Sequence, residues 1–210
     1  MKKILTSAMV VMATTFGFSQ NVRFGIKAGV NFSTARFHGD VTEGISGRTG
    51  FYAGALAEFP LSAASDNLFG QIELNYVQNG AKQSLSSYER IPNTYQTIRT
   101  IENGEVRIHQ LNVPILLKYQ IVEGLMFNGG GYLGFILDVE SRINRGSWEK
   151  MDSKVKPDVG LLVGAEYNLR QGIFIDARYN LGLTNIVDND DIDDVTVKNR
   201  AFQIGVGYKF

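Results

Sequence analysis

The sequence has no cysteine. Disulfides, thiolate nucleophiles and thiolate metal sites are excluded, and so is lipid attachment through an N-terminal cysteine. It has no excess of charge: Lys plus Arg number 21, as do Asp plus Glu. With no basic surplus to meet phosphates, nucleic acid is excluded as a partner. Histidines are only 2, His38 and His109. They form no His-x-x-x-His pair and no cluster with carboxylates, so zinc has no support and both read as solvent-facing. There is no Gly-x-Ser-x-Gly elbow for a nucleophile and no Gly-x-x-x-x-Gly-Lys phosphate loop. The stretch Ser84–Tyr88 reads as loop, and Gly129–Gly131 as close strand packing. Beyond residue 18, nothing approaches the ~18 uninterrupted apolar residues that a membrane-spanning helix requires.

What is abundant points elsewhere. Glycine is 23, Phe 13 and Tyr 9, with proline only 4. That mixture suits tightly packed strands better than helices. The first residues are of a different kind. Lys2 and Lys3 precede an uncharged apolar stretch, Ile4–Phe18, and Gly17-Phe18-Ser19 places small residues at a cleavage site. Residues 1–19 read as a secretory signal peptide, and residues 20–210 as one domain. An N-terminal anchor is the alternative, but the apolar core is short for a full span.

From there on the hydrophobic period is two. Phe24, Ile26, Ala28, Val30 and Phe32 alternate with Arg23, Gly25, Lys27, Gly29 and Asn31. The pattern returns at Phe51–Phe59, Gln71–Tyr76, Gln110–Tyr119, Val159–Tyr167, Ile173–Leu181 and Phe202–Phe210. Leu125–Leu137 adds a glycine-rich eighth segment whose facing stays ambiguous. A strand sends alternate side chains to opposite faces, so each segment has one apolar face. The other face carries glycine and isolated charges, unlike the Lys-, Glu- and Thr-rich outside of a soluble sandwich or barrel. Tyr76, Tyr119, Tyr167, Tyr179, Tyr208 and Phe210 fall near segment ends, as interfacial aromatic girdles do. Connections alternate in length: Thr34–Arg48, Gly80–Gly104, Asp138–Lys156 and Thr184–Asn199 are long, while Pro60–Asn67, Gln120–Gly124 and Leu169–Gln171 are short. Together these features predict an all-β, eight-stranded, antiparallel up-and-down transmembrane β-barrel, with its long loops outward.

Several runs resemble the PorT-like outer-membrane β-barrel family. They are Phe24-Gly-Ile-Lys-Ala-Gly-Val-Asn-Phe-Ser33, Gln71-Ile-Glu-Leu-Asn-Tyr76, Leu111-Asn-Val-Pro-Ile-Leu-Leu-Lys-Tyr119, Gly129-Gly-Gly-Tyr-Leu-Gly134 and Asp176-Ala-Arg-Tyr-Asn-Leu-Gly-Leu183. Their order and spacing carry the resemblance. It implies a small barrel in the outer membrane of a Gram-negative bacterium, and Phe210, ending an alternating strand, looks like the signal that the insertion machinery reads.

The registers point Lys27, Glu58, Glu73, Lys118, Glu166, Asp176, Arg178 and Lys209 into the lumen. Eight strands leave an interior just wide enough for side chains to fill, so paired charges would close it. The alternative is a small-solute or ion pore lined by the same residues. Catalysis by these carboxylates is the weakest reading, and no cofactor is expected. The acidic run Asp188–Asp194 lacks the glycine and distal glutamate of an EF-hand loop. Expected partners are outer-membrane lipid, the insertion machinery and an unidentified protein or glycan at the loops.

Overall fold

In the computed structural model, residues 22–38, 45–61, 67–90, 97–144, 146–151, 155–186 and 196–210 are described. The expected signal peptide and the acidic run Asp188–Asp194 lie outside them.

Among the described residues nine strands follow in order: β1 (Arg23–His38), β2 (Ile45–Pro60), β3 (Leu68–Arg90), β4 (Thr97–Val122), β5 (Leu125–Ile143), β6 (Glu149–Lys150), β7 (Asp158–Asn168), β8 (Ile173–Gly182) and β9 (Thr196–Lys209). The two-residue β6 hangs on β5 through Glu140↔Lys150 and Ser141↔Glu149. The other eight pair antiparallel in sequence order, and β1 pairs with β9, Gly25↔Lys209 through His38↔Thr196, which closes the ring. Closure leaves no free edge around the waist of the barrel.

Burial runs opposite to that of a soluble barrel. Ile115 is 63% exposed, yet Lys118, three residues on, is 0%. Ile26, Val30 and Phe32 of β1, Leu161 and Val163 of β7, and Phe202, Ile204 and Val206 of β9 are all exposed, while Lys27, Asn31 and Gln203 between them, and Glu166 further along β7, are buried. The glycine-rich β5 takes the same alternation, with Phe127, Leu133, Phe135 and Leu137 outward and Met126, Asn128 and Tyr132 buried. Contiguous apolar surface on this scale is foreign to a water-soluble monomer and suits hydrocarbon. Tyr119, Tyr167 and Tyr208 stand at the short-turn end, where aromatic rings flank the apolar band, whereas Tyr179, expected near a segment end, pairs with Val163 in the middle of the band.

Inside, aromatic rings lie on glycines. A Cβ on Gly29 would come within 2.7 Å of the Tyr52 ring, and one on Gly160 or Gly207 within 2.5 Å of Tyr132 or Phe174. Glycine is required there by space rather than by backbone angle. Pro114 sits within β4, where the β3–β4 ladder skips from Ile72↔Ile115 to Asn75↔Asn112. A proline has no N–H to donate, which accounts for the gap.

The strands exceed their expected lengths at one end. Gly80–Gly104, expected as a long loop, is mostly hairpin: β3 and β4 have 23 and 26 residues and pair as far as Arg90↔Thr97. Ser84–Tyr88 is therefore strand. Thr34–His38, Ile45–Arg48 and Asp138–Ile143 are likewise strand rather than loop, so His38 lies at the end of β1. Beyond the hydrocarbon no lipid imposes a two-residue hydrophobic period, and backbone pairing continues without that signature. Irregularities mark this boundary, between Gly47 and Tyr52 in β2 and between His109 and Gln110 in β4. Gly80 lies there too, at φ 147°, a conformation that favours glycine.

Candidate functional site

The eight charges expected in the lumen are all buried, and they fall into two groups. At the short-turn end, one side chain comes from each of β2, β4, β7 and β9. The Lys118 ammonium donates to Glu58 at 2.6 Å and Glu166 at 2.7 Å, and Lys209 donates to the same two carboxylates at 2.8 and 2.6 Å. The four alternate in sign around a square. Arg23, half exposed at the rim, adds a bond to Glu58 at 2.7 Å.

Deeper in, Arg178 Nη1 donates to both oxygens of Glu73 at 3.0 and 2.9 Å, and its Nε lies 2.8 Å from Asp176. Lys27 reaches Glu73 at 2.7 Å, and the Tyr52 hydroxyl donates to Asp176 at 2.9 Å. Glu73 is on β3 and Arg178 on β8, four places apart in a ring of eight, so their bond crosses the full width of the barrel. Gln71 joins the groups: its amide donates to Glu73 while its carbonyl accepts from Lys118 at 2.9 Å. Each group holds two cations and two carboxylates, which offsets the large cost of taking charge out of water.

A third layer, missed in the sequence, is made of amides. Asn31 donates to Asn79 at 2.8 Å, Asn79 to Gln110 at 2.8 Å, and Gln110 to Asp158 at 3.0 Å. Tyr132 and Asn199 also donate to Asp158. A cavity of about 10 Å³, room for one water, lies among Asn79, Asn112, Tyr132, Asn180, Asn199 and Gln203. Alternation places Asn31, Asn112, Asn180 and Gln203 on the inner face, but it does not show which amides bond one another. Asp158 stands one residue before the expected start of its strand.

At the end opposite the short turns, Trp148 collects three guanidinium groups. Arg107 lies 3.8 Å from its ring centroid, Arg142 4.4 Å and Arg48 5.9 Å, all within cation–π range. Glu105 accepts from Arg48 Nε at 2.9 Å and from Arg142 Nη2 at 2.5 Å. His109 is no solvent-facing bystander. Its Nδ1 meets the Tyr76 hydroxyl and its Nε2 lies 3.3 Å from Glu140, which also accepts from Arg107. The expectation fails because Asp138–Lys156 reads as loop in the sequence, whereas its first residues pair with β4 and set Glu140 diagonally across from His109.

Glu105 lies past the apolar band. Burial disfavours its anion, but hydrogen bonds from Arg142 and Arg48 outweigh this and hold its carboxyl below the usual range. A depressed carboxylate stabilises fully above the unfolded value of ~4.3, and the contribution is lost as pH falls through the folded value. The stability gap between wild type and Glu105→Gln should therefore stay constant from pH 8 to about 5 and shrink below about 4. Urea titrations at each pH measure it.

The comparisons with known proteins bear on the fold. A family model described as outer membrane protein beta-barrel domain matches residues 18–188. The chain belongs to that family. Among solved structures, Neisserial surface protein A matches with a TM-score of 0.53 at 14% identity, over 91% of this chain and 100% of that one. Ail of Yersinia pestis, solved with the heparin analogue sucrose octasulfate, gives 0.48 at 17% over 91% and 100%. OprG of Pseudomonas aeruginosa gives 0.42 at 13% over 90% and 95%. At these identities the likeness concerns the fold alone. No curated protein matches the sequence significantly. Membership of this family points to the Gram-negative outer membrane.

Proposed function

We propose that the protein is a structural or interaction barrel, not an enzyme, with a lumen closed by its own side chains and its long connections displayed outward. The observation that carries this reading is the Glu73–Arg178 bond across the ring, with a square of four charges on one side of it and an amide layer on the other. A solute would have to break several charge-assisted hydrogen bonds at once, each stronger than a neutral one. The chain reaches the membrane through its signal peptide, residues 1–19. The insertion machinery reads Phe210, whose backbone N–H extends the β1 ladder to Phe24 at 2.9 Å. The quoted runs favour a PorT-like branch of the family. Partners besides lipid are a protein or glycan at the outward connections.

The closing experiment is electrical. Purified protein in planar bilayers should give no single-channel steps. Reproducible steps, blocked or altered by Arg178→Ala, would replace this reading with a pore.

A further inference from the structure

We propose that the mouth of the barrel opposite the short turns binds an acidic saccharide, a sugar bearing a carboxylate or a phosphate. A cavity of about 420 Å³ opens there between the outer ends of β2, β3, β4 and β5, within the roughly 300–1,000 Å³ of small-ligand sites. Its described side chains are hydroxyls, amides and charges, among them Ser46, Ser84, Asn103, Lys82, Glu105 and Arg142, with no large apolar group among the described residues. Such a lining offers little to an apolar molecule and suits one covered in hydroxyls.

Charge sets the second half of the specificity. Lys82 and Arg142 line the cavity, and Arg48 lies behind it with a 6% exposed side chain and Nη1 lacking a hydrogen-bond partner. Lys82 makes no ion pair among the described residues. Among the described lining residues the one carboxylate, Glu105, is already held by Arg48 and Arg142. Among the described lining residues Lys82 and Arg142 outnumber Glu105, so this lining suits an anion rather than a metal ion. Arg142 joins the cavity to Trp148, since it lines the one and lies 4.4 Å over the ring of the other. An anion drawing the guanidinium toward itself changes the surroundings of the chain's only tryptophan.

This deepens the glycan reading given above, and rests on it only for the direction in which the mouth faces. Binding in detergent does not depend on sidedness or conductance, so the two can fail separately. Detergent-refolded full-length barrel is titrated with glucuronate, glucose 6-phosphate, glucose and inorganic phosphate while Trp148 emission is followed. Both acidic sugars should saturate the change, with glucose and inorganic phosphate at least about tenfold weaker. Lys82→Gln should weaken the acidic sugars by about tenfold while the barrel stays heat-modifiable on gels. Equal affinity for inorganic phosphate overturns the saccharide, and equal affinity for glucose overturns the acid. No saturation by fluorescence or calorimetry overturns both. Competition by delipidated lipopolysaccharide core would place the ligand in the same membrane, and its failure would place it on foreign glycans.

Discussion

Arg178→Met should destabilise the barrel by about 3–5 kcal/mol, the cost of leaving buried charge without its partner. The guanidinium serves Glu73 through Nη1 and Asp176 through Nε. Without it, Lys27 alone faces two carboxylates. The double variant Arg178→Met, Glu73→Leu should lose less than the single one, because Lys27 and Asp176 then remain as a balanced pair. Replacing a whole buried ion pair with apolar groups of similar volume is often close to neutral. Urea titration of folding into lipid vesicles, run as a double-mutant cycle, measures both. Equal stability of wild type and Arg178→Met would mean that the interior is wet enough to solvate the orphaned carboxylates, and the closed lumen would be lost with it.

Val163→Arg should cost about 2–4 kcal/mol in a bilayer, as expected for a cation on the lipid face near the midplane. Val163 is 60% exposed on β7, beside Gly129 and Tyr179. Leu169→Arg, by the short turn at the foot of β7, should cost only about 0–1 kcal/mol, since charge near the interface is cheap. Depth dependence is the diagnostic. A water-facing surface would accept arginine equally at both positions. The same vesicle folding assay compares them.

Much of this fold is written in the apolar band, where lipid on one side and a narrow lumen on the other enforce strict alternation. Phe202 to Phe210 can be read residue by residue for that reason, and the eight lumenal charges follow from parity alone. Outside the band the enforcing solvent is absent. The hairpin from Gly80 to Arg107 pairs through backbone hydrogen bonds, and its Ser-rich sequence resembles a loop. The polar contacts of Trp148 and His109 were hidden for the same reason, because their partners Arg107, Glu140 and Arg142 are brought together by those extended strands. The amide layer was hidden differently. Asparagine on an inner face looks the same in sequence whether it is a spacer or part of a network, and only the closed ring brings Gln110 of β4 to Asp158 of β7. Cross-barrel partners are also beyond parity: nothing local links Glu73 to a residue 105 positions away.

The absence of native cysteine makes site-directed spin labelling clean. Nitroxides placed singly from Phe202 to Lys209 of β9, in lipid vesicles, report accessibility to oxygen, which concentrates in hydrocarbon, and to a water-soluble nickel chelate. Oxygen accessibility should peak at positions 202, 204, 206 and 208 and fall at 203, 205, 207 and 209, with the chelate reaching neither set in mid-strand. A reversed phase, with oxygen reaching positions 203 and 209 while 204 and 206 stay shielded, would contradict the inside-out arrangement.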